Sequence, residues 1–192
     1  MPAAQPDLFA PQPRLPEGFR YRRDLLSSAE EAELAAALGE LAFQPFEFHG
    51  FIGKRRVLSF GWRYDFNHGG LQRADEIPPF LLPARAKAAA FAGLSPNNLQ
   101  HVLVTEYPPG ATIGWHKDRG VFADVIGVSL LAPCTFRLRR KTSAGWERAA
   151  LTVEPRSIYL LRGPARRQWE HSIPAVDRLR YSITFRTLGG GS

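Results

Sequence analysis

The chain has 192 residues, 44% of them apolar and 22% charged. That size and balance describe one globular domain able to bury roughly 70% of its extended surface. Apolar runs such as 125–132 are far shorter than the ~20 residues of a membrane-spanning helix, and a single cysteine, Cys134, excludes a disulfide-stapled scaffold. The opening MPAAQPDLFA lacks the positive charge and the apolar stretch of a secretory signal, so a cytoplasmic location with no membrane partner is expected. The formal net charge of +7 is unevenly spread: residues 1–96 hold 11 Lys+Arg and 11 Asp+Glu, whereas residues 97–192 hold 14 and 7. A basic excess confined to one half is the electrostatic footprint of a polyanion partner, with a merely soluble basic surface as the alternative.

Residues 1–18 are rich in proline with few aromatics and read as a flexible tail. A helix follows over about 28–41, with Ser28 three residues ahead of Glu31 as a reciprocal cap and Leu25, Leu34, Leu38 and Leu41 near helical spacing. Residues of about 44–70 are aromatic and basic, with a strand-like piece at 56–60 and an irregular Gly/Asn/His stretch after it, the makings of a lid. A second helix spans about 79–92, where Pro79 suits a first turn and Gly93 follows the last periodic residue. From 99 onward short strands alternate with Pro/Gly turns, at 100–107, 114–118, 125–131, 135–139, 149–153, 157–161 and 180–187, and residues 189–192 read as a disordered end. Two helices followed by such a run predict an α+β chain whose strands form an antiparallel sandwich or barrel.

Side chains two apart on a strand share a face, so His116 and Asp118 project together while Trp115 and Lys117 point away. A third ligand has to come from elsewhere, and His171 stands just past the strand at 157–161, where a neighbouring barrel strand would bring it alongside. Two histidines and one carboxylate with open positions are the ligand set of non-haem Fe(II) oxygenases, although a lone His-x-Asp is more often a surface or hydrogen-bonded pair. His49, His68 and His101 have no carboxylate at this spacing and read as lid, surface or core residues. In the last strand, period two places Arg180, Ser182, Thr184 and Arg186 on one face and Tyr181, Ile183 and Phe185 on the other. In an ordinary sandwich the arginines would lie in water. If instead the apolar face packs on the helices, the polar face lines the barrel, and two guanidiniums there need an acidic guest such as a metal-chelating dicarboxylate.

Together, His116-x-Asp118, His171 and the Arg180-x5-Arg186 strand resemble the AlkB family of Fe(II)- and 2-oxoglutarate-dependent dioxygenases, over about residues 40–188. The resemblance implies a double-stranded β-helix (jelly-roll) core in a single domain over 19–188, with the N-terminal helices packed on one sheet and a nucleotide-recognition lid. It implies that His116, Asp118 and His171 bind Fe(II), that 2-oxoglutarate chelates the metal with its far carboxylate on Arg180, and that Arg186 secures its other end. Tyr107 matches the family's tyrosine that hydrogen-bonds 2-oxoglutarate. Thr105 stands where the family often has asparagine, and with Ser182 it is counted among the cosubstrate contacts. Arg119 and Gly120 follow Asp118 in place of the acidic residues of the best-known bacterial member, so base selectivity is expected to differ. Residues 163–174, with Arg166 and Trp169 ahead of His171, look closer to the branch containing eukaryotic tRNA-modifying homologues, which keeps RNA open.

The activity implied is oxidative dealkylation of N-alkylated nucleic-acid bases with O2, releasing formaldehyde, succinate and CO2, by a monomer for which DNA is favoured over RNA. A base inside a duplex cannot reach a barrel interior, so it must be flipped out or single-stranded. Trp62 and Tyr64 are expected to hold it, with Lys54, Arg55 and Arg56 on flanking phosphates. Arg137, Arg139, Arg140 and Lys141 form a second basic cluster that either tracks the opposite strand or is a solvated strand end. Gln5-Pro6-Asp7-Leu8-Phe9 resembles the bacterial sliding-clamp pentapeptide, in which Gln5 and the Leu8-Phe9 pair fill two pockets. Two other readings remain open: a 2-oxoglutarate oxygenase acting on RNA, protein or a small molecule, and a non-catalytic barrel that binds nucleic acid through its arginines.

Overall fold

The computed structural model describes residues 15–48, 51–65 and 69–189. The clamp-like residues Gln5, Leu8 and Phe9, His49, His68 and residues 190–192 lie outside them. In chain order the elements are β1 (Phe19–Arg22), α1 (Ser28–Gly39), β2 (Gln44–Phe48), β3 (Phe51–Phe60), β4 (Trp62–Tyr64), β5 (Leu71–Arg73), α2 (Leu82–Ala92), β6 (Leu99–Tyr107), β7 (Ile113–His116), β8 (Phe122–Leu130), β9 (Cys134–Thr142), β10 (Gly145–Val153), β11 (Ser157–Leu161), α3 (Gly163–Arg167), β12 (Glu170–Ile173) and β13 (Arg180–Leu188).

The cap of α1 sits one residue earlier than its sequence pattern predicts. Ser27 is the extended N-cap: its Oγ accepts from Glu30 N at 3.2 Å, and Glu30 Oε2 accepts from Ser27 N at 2.8 Å. Glu31 is thereby released to accept from Leu131 N at 2.8 Å, fastening the helix to the end of β8. Helix α2 follows a 3-10 turn at Pro79–Leu81 and ends at Gly93, whose left-handed φ of 68° is the usual device for stopping a helix.

Strands β1-β11-β8-β13-β6-β3-β2 make one sheet in that order, β10-β9-β12-β7 make a second, and β4-β5 form a separate hairpin. Every pairing among the described residues is antiparallel. Helices α1 and α2 cover the outer face of the large sheet through Leu34, Leu38, Ala84 and Ala88, which pack with Val102, Val128, Ile183 and Phe185. The opposite face of the large sheet, with Phe19, Tyr107, Val125 and Tyr159, closes on Phe136, Leu138 and Ile173 of the small one. Gly127 on β8 has no alternative, because a Cβ there would run into the Tyr159 ring. Two sheets around a common interior, one of them backed by helices, is the double-stranded β-helix expected from the sequence.

Two boundaries differ from the expectation. Residues 16–18 are not tail: Ala165 N donates to Glu17 O at 2.9 Å and Arg162 N donates to Gly18 O at 3.0 Å, so backbone bonds hold them against α3. The lid expected over 44–70 is largely sheet, since β3 pairs with β6 from Arg56 to Phe60 and β2 pairs with β3. Its freestanding part is the β4-β5 hairpin, entered at Gly61 with φ 75°. No helix among the described residues is long and apolar enough to cross a membrane.

Candidate metal centre and cosubstrate slot

Strand β7 ends at His116, so Asp118 is presented from the following loop and not from the strand. His171 on β12 lies directly opposite His116 in register, and the two rings are 4.2 Å apart between centroids. One ligand atom each from His116, Asp118 and His171 falls within 4.8 Å of the others. His116 Nδ1 donates to Gly114 O at 2.8 Å, a bond that fixes the tautomer and leaves Nε2 as a bare lone pair. Asp118 Oδ1 accepts from Arg186 Nε at 3.0 Å and Nη2 at 2.6 Å, whereas Oδ2 is buried with no hydrogen-bond partner. An unpartnered buried carboxylate oxygen is costly, and beside two imidazoles it fits a divalent metal.

The protonation states suit that reading. Burial, with His116 alongside, pushes the His171 imidazole down to about 3, and burial moves His116 in the same direction. Both are therefore neutral ligands at ordinary pH. Burial alone would raise the Asp118 carboxyl, but the Arg186 guanidinium holds it well below the usual carboxylate range. With His171 neutral, its 3.7 Å approach to Asp118 Oδ2 is a shared-ligand geometry and not an ion pair.

The polar face of β13 lines the interior. Arg180 is 0% exposed; its Nε donates to Ser129 Oγ at 3.0 Å, its carbon lies 4.9 Å over the Tyr107 ring, and Nη1 and Nη2 have no partner. Two orphaned N–H-bearing nitrogens buried in a fork are a receptacle for a carboxylate. Tyr107 pairs with Arg180 in register, and Thr105 with Ser182, so these four buried side chains line one stretch of the interior. Arg186, at the other end, is committed to the metal carboxylate Asp118 and also approaches His101 Nδ1 at 3.3 Å. The two arginines thus mark opposite ends of a slot, Arg180 away from the triad and Arg186 on it.

The rim residues are placed unequally. Tyr64 lies under Arg119, the first residue after Asp118, at 5.1 Å, and Trp62 lies under Arg73 at 4.2 Å. Lys54 reaches Gly110, and Arg55 Nη1 donates to Thr112 O at 3.3 Å, so both lie along the loop that leads into β7. Arg56 turns instead to the helix side of the large sheet, where Nε donates to Glu106 Oε1 at 2.7 Å, which removes it from the proposed phosphate contacts.

Three supporting residues went unassigned in the sequence. Ser129 aims Arg180, His101 backs Arg186, and Arg166 donates from Nη2 to Arg119 O at 2.5 Å and Phe122 O at 2.8 Å, pinning the loop that carries Asp118. Only the period of β8, with Val125, Gly127 and Ser129 on the interior face, carried a signal for the first of these.

A double-stranded β-helix holding a His-Asp-His triad beside a buried arginine defines an iron oxygenase class. The sequence pattern of the 2OG-Fe(II) oxygenase superfamily matches residues 18–186, and the chain belongs to that superfamily, in its AlkB-like branch. It is 30% identical over 192 aligned positions to the "Alkylated DNA repair protein ALKBH8 homolog" of Arabidopsis thaliana, covering 85% of this chain and 53% of that protein. It is 32% identical over 165 positions to the mitochondrial "Alpha-ketoglutarate-dependent dioxygenase alkB homolog 7" of Bos taurus, covering 83% of this chain and 69% of that one. The chain therefore spans about half the length of the first relative. Among solved structures, OsALKBH1 superposes with a TM-score of 0.66 at 16% identity, over 90% of this chain and 99% of that one. A Pseudomonas putida prolyl-4-hydroxylase superposes at 0.60 and 15% identity, over 91% and 94%. The cofactors of the superfamily are Fe(II), 2-oxoglutarate and O2, and the donor set here fits them.

Proposed function

We propose that this chain oxidatively dealkylates N-alkylated bases of nucleic acid, with DNA as the primary substrate. The observation that carries the reading is the Arg119–Tyr64 pair, 5.1 Å apart, which joins the aromatic hairpin to the residue next to a metal ligand. A base held on that hairpin is a base held over the metal. Trp62 and Tyr64 offer the flat surfaces that an unstacked base requires, and Lys54 and Arg55 on β3, along the loop that leads into β7, offer charge for its phosphates. The chain's net charge of +7 suits the same polyanion.

In this reading His116, Asp118 and His171 hold Fe(II), Arg180 receives the far carboxylate of 2-oxoglutarate beside Tyr107, Thr105 and Ser182, and Arg186 orients the metal end. When bound, the iron and cosubstrate would supply oxidation of a C–H bond by O2, one oxygen atom going to the hydroxylated carbon and the other to succinate as 2-oxoglutarate loses CO2. An N-methyl group hydroxylated in this way loses formaldehyde and leaves the unmodified base. The chain's own work is ligation, orientation through Arg186 and Ser129, and exclusion of water by the interior aromatics.

Oligonucleotides bearing 1-methyladenine, 3-methylcytosine or an etheno adduct, in DNA and RNA form, provide the test. Loss of the adduct by mass spectrometry, matched by succinate, is expected, with DNA turned over faster than RNA. Succinate formation without adduct loss from any oligonucleotide would refute the substrate while leaving the oxygenase intact.

A further inference from the structure

We propose that the outer face of the small sheet binds a single-stranded stretch of nucleic acid, taking its backbone on three uncompensated cations and stacking a base on Trp146. The inference rests on the nucleic-acid reading above and adds a second contact, away from the metal and from the β4-β5 hairpin.

Strand β9 sends Cys134, Phe136 and Leu138 into the interior, so Arg137, Arg139 and Lys141 face outward. Trp115 faces the same way, on the opposite side of β7 from His116. Arg139 is sandwiched between two indoles, 4.3 Å from the Trp115 ring centre and 4.5 Å from that of Trp146, and Arg137 lies 5.1 Å from Trp115. Guanidinium and indole planes therefore alternate across the sheet. Trp146 is 42% exposed, a large aromatic left partly in water on a strand that has a full interior on its other side.

The charges on this face do not balance. Arg139 lies in register with Arg148 on β10, and directly opposed like charges destabilise a sheet. Its own carboxylate comes from the other side, where Arg139 Nε donates to Glu170 Oε2 at 2.6 Å. Arg148 has a backbone acceptor, Trp146 O at 3.4 Å, Arg137 donates to the neutral Ser172 Oγ at 3.0 Å, and Lys141 is exposed. None of these three meets a carboxylate among the described residues. A polyanion relieves the repulsion, and aromatic planes interleaved with cations select, among polyanions, one that carries unstacked bases. A duplex hides its bases, and an acidic peptide has no use for the indole.

The metal-free full chain is titrated with a fluorescent unmodified oligonucleotide of about 16 nucleotides, as DNA and as RNA, across a salt series. The double variant Lys141→Glu/Arg148→Glu is expected to weaken binding about tenfold or more and to flatten the salt slope by roughly 1.4, the value for two lost single-strand phosphate contacts. Trp146→Ala is expected to weaken binding at least about fivefold with the slope unchanged, because stacking releases no counterions. All variants should retain wild-type adduct removal from a trinucleotide, which is too short to reach this face. The DNA and RNA arms decide which sugar the face prefers.

Wild-type affinity and slope in these variants would overturn the second site and leave base dealkylation standing. Equal competition by poly-glutamate of matched charge would overturn it in favour of an acidic protein partner. Weakened binding in the variants together with no adduct removal by the wild type would support the face while defeating the dealkylation reading.

Discussion

Strand β13 separates two regions that share a backbone and obey opposite rules. On its helix side Tyr181, Ile183 and Phe185 join an apolar cluster drawn from α1, α2, β6 and β8, at whose edge the buried Glu106 is satisfied by Arg56 and the Tyr181 hydroxyl. On its barrel side Arg180, Ser182, Thr184 and Arg186 are equally buried, beside His171, His101 and Ser129. The first region stabilises the fold by removing apolar surface from water. In the second, buried guanidinium nitrogens and a carboxylate oxygen lack partners, which costs stability and is tolerable only where a ligand completes the bonding. Unpartnered polar burial in this molecule therefore marks the site, whereas buried polar groups on the helix side, such as Glu106, are paired.

Substitutions on the two faces should separate cleanly. The largest effect is expected from Asp118→Ala, which removes a ligand: succinate formation should fall by roughly 10³-fold or more, beyond the 10–100-fold typical of losing an outer-shell partner, and Fe(II) should no longer be retained against a mild chelator. Next comes Ile183→Ala on the helix side, expected to lower the unfolding free energy by about 3 kcal/mol in urea while leaving the KM for 2-oxoglutarate unchanged. Arg180→Met, three residues away in sequence but on the other face, should do the reverse. Loss of a bidentate charged contact raises the KM for 2-oxoglutarate by about 100-fold, with thermal stability equal or higher because unmatched buried N–H groups are gone. A KM effect from Ile183→Ala, or severe unfolding from Arg180→Met, would break the division.

Acid should strike the barrel side through its enclosed histidines. His171 and His101 are pushed down to about 3 and about 2, His101 by burial and then by Arg186, against an ordinary value of 6.5. Between those values the unfolded chain binds protons that the native chain does not. Stability of the metal-free protein should therefore be full above about pH 6.5 and fall as pH drops toward 3, by at most about 1.4 kcal/mol per pH unit for each histidine. Urea titrations at pH 7, 5 and 4 measure this; a flat profile would mean that these imidazoles are not enclosed. The smallest effect, about 1 kcal/mol, is expected for Ser27→Ala at the cap of α1, with no change in catalysis.

Much of this was legible in one dimension because the relevant signals have short periods. The alternation in β13, the Gly93 stop of α2 and the His116-x-Asp118 spacing are local, and the structure keeps β13 and α2 where the pattern put them. The cap of α1 moved by one residue because Ser27 and Ser28 are both competent and only the entering chain selects between them. Strands β1, β2, β4, β5 and β12 were not recognised: they are short, β1 and β2 are edge strands, and the partner of β1 is β11, far away in sequence. Arg56 shows the same limit, since its charge is evident in sequence but its commitment to Glu106 depends on β3 pairing with β6.

What the sequence by itself determined was which residues are chemically able to act: two imidazoles and a carboxylate for a metal, and two arginines on one face of a strand. What only the tertiary structure decided was direction. Packing of α1 and α2 against Ile183 and Phe185 turns Arg180 and Arg186 inward, register between β12 and β7 sets His171 against His116, and Arg186 occupies one oxygen of Asp118 and leaves the other bare. The reason is physical: side-chain chemistry is a property of each residue, but burial and pairing are properties of surfaces that exist only once distant strands meet.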